Sequence, residues 1–130
     1  MITNIMRITL VVRDQDEALR FYTEKLDFRK AADNPMGHAG RWLTVAAPGD
    51  SGLEVVLQPP DWFQGEARRE REAMIGHNPT LVLRVDDCAA TCAELKARGV
   101  TVVREPEPMP FGVQAIVRDL YGNDLVLLQP

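Results

Sequence analysis

RITLVVRD (residues 7–14) and TLVLRVDD (residues 80–87) lie over each other without a gap. Each is a short run of β-branched and aliphatic residues, the composition of a strand. Each ends in an aspartate suited to cap a following helix. Asp14 is followed three residues later by Glu17, a capping-box spacing with Asp in the capping role. A first helix is expected through DEALRFYTEKL (residues 16–26), where Ala18, Phe21, Tyr22 and Leu26 fall on one stripe. A second is expected through CAATCAELKARG (residues 88–99), with Cys88, Cys92 and Leu95 as its stripe and Gly99 as its C-terminal cap residue.

Outward from these two segments the halves continue in parallel. A short strand follows each helix, FRKAAD (28–33) and VTVVRE (100–105), and then a loop rich in Pro and Gly, NPMGHAG (34–40) and PEPMPFG (106–112). Two more strands complete each half: RWLTVAA and LEVVLQP in the first, VQAIVRD and DLVLLQP in the second. The connecting turns, PGDSG and LYGN, hold residues that tolerate turn dihedrals. The halves close on nearly the same words, VVLQP (55–59) and VLLQP (126–130). The repeated order strand–helix–strand–strand–strand points to an internal duplication. The expected domain is one α+β unit over residues 1–130: module 1 over about 1–59, a linker over about 60–79, and module 2 over about 80–130. The linker centre, GEARREREAMIG, reads as a short helix with a solvated charged face.

Composition narrows the function classes. The chain has 130 residues, 45% hydrophobic and 26% charged, an ordinary balance for a folded domain. No apolar run is long enough for a membrane span, and the N-terminus lacks the pattern of a signal peptide, so a cytoplasmic protein is expected. Net charge is −4 with scattered basic residues, so neither a nucleic-acid nor a membrane partner is expected. Cys88 and Cys92 match no zinc spacing. Cys88 at a helix N-terminus could have a lowered pKa, but two small buried helix residues is the favoured reading. No phosphate loop and no Ser-His-Asp set can be assembled around His38 or His77.

The segments ITLVVRDQDEALRFYTEKLDF, LVLRVDDCAATCAELKARGV and RDLYGNDLVLLQP, in this order and spacing, resemble the vicinal-oxygen-chelate (glyoxalase/bleomycin-resistance/extradiol dioxygenase) superfamily. Asp27 stands where the family usually has Gly, and Asp tolerates the left-handed conformation better than most residues. The resemblance implies two βαβββ modules in a pseudo-twofold arrangement, a cup-shaped mixed sheet with helices outside, and a small ligand in the cup. It also implies a homodimer, for which Trp62 and Phe63 of the linker offer apolar surface. Many members hold a divalent metal through a His seven residues before the capping Asp and a Glu in the last strand of a module. Those positions are here Arg7, Thr80, Val126 and, from the matched endings, Val55. Divalent metals at such sites want imidazole or carboxylate, so neither metal nor other cofactor is expected. Glu54, one residue from Val55, is expected on the opposite face.

Strand alternation then assigns the cup. Arg7, Thr9, Val11, Val55 and Leu57 face it from module 1, and Thr80, Val82, Arg84, Val126 and Leu128 from module 2. Trp42, Phe111 and Tyr121 lie near its mouth. The expected ligand-binding set is Arg7, Thr9, Trp42, Val55, Leu57, Thr80, Arg84, Phe111 and Val126, an apolar surface with a few placed polar groups. Arg7 has two roles open to it, a structural salt bridge or the anchor of an anion. The expected function is metal-free binding of a small anionic or aromatic organic molecule. The alternatives are a metal-dependent lyase, isomerase or dioxygenase with an unconventional site, and a structural or regulatory dimer without ligand chemistry; whether any reaction is catalysed stays open.

Overall fold

The computed structural model describes residues 1–49 and 51–130. Asp50, in the expected PGDSG turn, lies outside the described residues. The chain divides into two compact units, Met1–Ile75 and Gly76–Pro130. Each carries one four-stranded mixed sheet, so the fold is α+β and made of two βαβββ modules.

In the first unit β1 (Arg7–Val11) leads into α1 (Gln15–Arg20), then β2 (Arg29–Pro35), β3 (Arg41–Ala46) and β4 (Glu54–Gln58). The sheet order is β1-β4-β3-β2, with β1 parallel to β4 and the other pairs antiparallel. The second unit repeats the plan with β5 (Leu81–Arg84), α3 (Cys88–Ala97), β6 (Thr101–Met109), β7 (Gly112–Arg118) and β8 (Asp124–Gln129), in the order β5-β8-β7-β6. Between them in sequence, a single 3₁₀ turn (Pro60–Trp62) precedes α2 (Gly65–Met74), and both belong to the first unit. No described helix is long and apolar enough to cross a membrane.

The local signals act as their chemistry requires. The Asp14 carboxylate accepts from the Glu17 N–H at 2.9 Å, and Asp87 accepts from the Ala90 N–H at 3.0 Å. Each cap satisfies one otherwise orphan helix donor and is worth about 1 kcal/mol. The first helix departs from the expectation in one respect. After Arg20 it widens into a π-helical turn, Phe21–Lys25. Tyr22 is thereby fully buried, edge-on to Phe21 and to Phe28 at centroid separations of 5.4 and 5.5 Å. The turn closes through Asp27, which holds φ 60° as the sequence anticipates.

In the second unit the D-x-x-G-N turn is a hydrogen-bonded lock. One Asp119 carboxylate oxygen accepts from the N–H groups of Tyr121 and Asn123, and the other accepts from the Asn123 side chain. The Asn123 side-chain oxygen Oδ1 in turn accepts from the backbone N–H and the side-chain amide of Asn78. This ties the approach to β5 against the β7–β8 turn. Gly76 passes so close that a Cβ there would lie 2.5 Å from the Tyr121 carbonyl oxygen.

The segment PEPMPFG, expected as a loop, is mostly strand. β6 continues through Pro106 and Pro108 to Met109, and only Pro110 and Phe111 form the hairpin turn. The prolines are admissible because β6 is the last strand in its sheet and can spare N–H donors on its outer edge. The register shifts between Val102 and Arg104, and again between Arg104 and Glu107.

Candidate functional site

Each sheet has one face against its own helix and one turned away. In the first unit Arg41 marks the helix side, since it reaches Asp16 of α1 at 2.7 Å. Leu43 and Val45 alternate onto Arg41's face, and the β3–β4 register adds Val55, the partner of Val45. Leu57 shares it. Val55 and Leu57 are therefore buried on the helix side, 6% and 0% exposed, and not on the far face where the sequence reading put them. The cause is a slip of one residue. β1 runs parallel to β4 with Arg7 beside Glu54 and Thr9 beside Val56, whereas β5 pairs Val82 with Val126. The structural counterpart of Val126 is thus Val56. The matching LQP endings align the letters but not the strands.

The same register places Glu54 on Arg7's face, which corrects its expected position on the opposite one. The far face of the first sheet carries Arg7, Thr9, Trp42, Thr44, Glu54, Val56 and Gln58. Several of these form one cluster. The buried Thr44 hydroxyl donates to Glu54 Oε1 at 2.7 Å. Arg7 Nε stands 3.7 Å from the same oxygen. The Arg7 guanidinium lies 5.6 Å from the centre of the Trp42 ring. Trp42 stacks on Trp62 with centroids 6.2 Å apart and planes 18° apart. The Trp62 indole N–H is buried without a hydrogen-bond partner among the described residues. Glu54, Thr44 and Trp62 were missed from sequence; parallel pairing of β1 with the strand after LEVV, counted in register, is the signal that could have found Glu54.

In the second unit the far face carries Val82, Arg84, Gln114, Ile116, Val126 and Leu128, with the ion pair Arg118–Asp124 at one end and Arg104 and Glu107 contributed by β6. Val82 is 61% exposed, a large value for a strand valine. Arg84 is exposed, and among the described residues no carboxylate pairs with it. Thr80 is exposed just ahead of β5, outside the strand. Phe111 sits 55% exposed at the β6–β7 hairpin tip, and Tyr121 is half-buried in the β7–β8 turn. His38 lies in an exposed 3₁₀ turn and His77 in the exposed approach to β5. Cys88 and Cys92 are buried, and burial pushes both thiols above their ordinary pKa, the reverse of helix-end activation.

A cavity of about 370 Å³ in the first unit lies elsewhere, lined by Arg13, Pro59, Pro60, Asp61, Arg68, Glu72 and Ile75. It contains none of the expected ligand residues. Arg68 there is already bonded to Glu72 at 3.0 Å.

The four positions at which the resemblance implies metal ligands are Arg7, Val56, Thr80 and Val126 once the register is corrected. A guanidinium and two isopropyl groups do not coordinate a divalent cation, and a lone hydroxyl is a poor ligand. Among the described residues no three His, Cys, Asp or Glu side chains are grouped to hold one. This donor set does not fit the family's metal.

The family model for the glyoxalase/bleomycin resistance protein/dioxygenase superfamily matches residues 4–127. The chain belongs to that superfamily. It is 36% identical to YurT of Bacillus subtilis over 126 residues, covering 96% of this chain and 98% of YurT. It is 31% identical to a probable lactoylglutathione lyase of Vibrio cholerae, covering 96% of this chain and 89% of that protein. Among solved structures it resembles TnmS3, an antibiotic binding protein from Streptomyces sp. CB03234. That match has a TM-score of 0.81 and 38% identity, and it covers 99% of this chain and 97% of TnmS3. Within the superfamily, then, the chain is similar both to a named binding protein and to a named enzyme.

Proposed function

We propose that this superfamily member binds a small organic molecule with an aromatic ring on the far faces of its sheets, without a metal. The observation that carries the reading is the far face of the first sheet, where a cation, a carboxylate and a tryptophan stand together. It offers Arg7, Glu54 and Trp42; the far face of the second sheet, taken by itself, offers the exposed Val82 and Arg84 among other polar residues. Apolar walls with a few fixed polar groups are the usual make-up of a small-molecule site. Residues unsuited to metal at the ligand positions favour binding over metal-dependent chemistry. The similarity to TnmS3, described as an antibiotic binding protein, favours the same reading.

Calorimetry of the purified chain against a panel of flat aromatic compounds, aromatic antibiotics included, tests it. Binding at micromolar affinity, unchanged after chelator treatment, is the expected result. Absence of binding across the panel overturns the reading. A second reading, a metal-dependent lyase, draws on the likeness to the lactoylglutathione lyase relative. It requires lactoylglutathione formation when zinc, nickel or manganese is added.

Pairing of two chains is a further expectation of the resemblance, tested by sedimentation at micromolar concentration. Trp62 and Phe63 do not add to it: Trp62 is stacked on Trp42, and Phe63 lies under the Arg71 guanidinium at 4.2 Å.

A further inference from the structure

The polar cluster on the first sheet bears on which ligands the face accepts, given the binding reading above. Arg7 is a permanent cation, since a guanidinium does not deprotonate inside a protein. Alone on that face it would be an anchor for carboxylates or phosphates. It is not alone. Glu54 is its strand neighbour, with Oε1 at 3.7 Å from Arg7 Nε. Nor is Glu54 free to swing aside, because the fully buried Thr44 hydroxyl donates to the same oxygen at 2.7 Å. On its other flank Arg7 is held against the Trp42 ring, itself stacked on Trp62.

An anion approaching Arg7 therefore meets a fixed carboxylate at nearly the same distance. Its attraction to the cation is offset by repulsion from Glu54, and the side chains are only about one-third exposed, so screening by water is incomplete. An uncharged ligand meets something different. Thr44 and Arg7 both address Oε1, and among the described residues nothing donates to Oε2. The pair therefore presents guanidinium N–H donors beside a carboxylate acceptor.

We propose that Glu54 sets the charge preference of this face: by compensating Arg7 it selects uncharged flat aromatic molecules that carry a hydrogen-bond acceptor next to a donor, and it disfavours the corresponding acids. The aromatic part of the ligand rests on the binding reading; the charge preference rests on the Arg7–Glu54–Thr44 geometry. The neutral group places its carbonyl on Arg7 and its hydroxyl or amide N–H on Glu54 Oε2.

Two near-isosteric probes separate the outcomes, 1-hydroxy-2-naphthamide (neutral) and 1-hydroxy-2-naphthoate (anionic), titrated by calorimetry into the full chain. The parent binds the naphthamide more tightly. Glu54→Gln keeps the shape, removes the compensating charge and shifts the ratio of the two affinities toward the naphthoate by about tenfold. Thr44→Val, which unpins Glu54, moves the ratio in the same direction by a smaller factor and stands as an independent check if Glu54→Gln does not fold. An affinity ratio unchanged within about twofold in both variants, with both probes still bound, overturns the proposal and leaves the binding reading intact. Absence of binding of either probe to parent and variants alike overturns the binding reading, and the proposal with it.

Discussion

The two sheets of this protein share a plan and differ in what they present. Both have the order first–fourth–third–second strand, both helices are capped by an Asp at the same offset, and both bury a helix residue eight positions past that cap, Tyr22 in one and Leu95 in the other. Their far faces have diverged. Along β1, β3 and β4 the first bears Arg7, Glu54, Thr9, Thr44 and Trp42, with Arg7 and Glu54 paired. The second mixes Val82, Ile116, Val126 and Leu128 with Gln114, Arg104, Glu107 and an Arg118–Asp124 ion pair, and its Arg84 has no carboxylate partner among the described residues. The lesson is that the helix-facing half of each strand carries the fold, while the alternate half is free to carry chemistry.

The largest expected effects test whether the scaffolds are in fact equivalent. Tyr22→Ala removes a fully buried ring with two edge-on aromatic neighbours and should destabilise the chain by about 3–5 kcal/mol. Leu95→Ala, at the matching place, should cost about 2–3 kcal/mol. Urea denaturation measures both. A loss below about 1 kcal/mol for Leu95→Ala would mean that the second helix does not anchor its sheet as the first does.

A smaller effect distinguishes the faces. With Arg84 uncompensated and Arg7 compensated, Arg84→Met should weaken binding of an aromatic acid such as 1-hydroxy-2-naphthoate by about threefold and leave its neutral amide unaffected. Equal losses for acid and amide would assign Arg84 to packing instead of charge recognition.

The smallest effect concerns acid stability, and it belongs to the first unit. Bonds from Arg41, then Lys30, hold the Asp33 carboxyl well below its ordinary value of 3.8. A folded pKa below the unfolded one contributes stability that is complete above the unfolded value and is lost as pH falls toward the folded one. Asp33→Asn should therefore lower the urea midpoint slightly near neutrality and flatten its fall below about pH 4, so that parent and variant converge in acid. An identical acid slope in parent and variant would remove this cluster from the account.

The fold was legible because its signals are local. A capping Asp, a run of β-branched residues and a Gly or Asn turn each act within a few residues, and each behaves in the structure as its chemistry implies. The site was legible only in part. Arg7, Thr9, Trp42, Arg84 and Val126 fall on the far faces, but Val55 and Leu57 do not, because strand register is set by hydrogen bonds to a distant strand and a one-residue slip exchanges the two faces. The same slip concealed Glu54. The π-helical turn at Phe21–Lys25 has no recognisable sequence mark, and PEPMPFG read as a loop because prolines exclude a strand interior but not an edge.

β6 is nine residues long and ends its sheet, so its outer side is a ready template for another chain to add to. Two features described above spoil that template: Pro106 and Pro108 withhold donors, and two register breaks bend the strand out of flat pairing. Arg104, Glu105 and Glu107 add exposed charge along the same stretch. The consequence concerns the protein's behaviour in a crowded solution rather than its ligand. A long strand can be kept at the rim, supporting a hairpin whose tip carries Phe111, without becoming the seed of a fibril. Exchanging both prolines for valine would supply the missing donors and turn a guarded border into a point of growth.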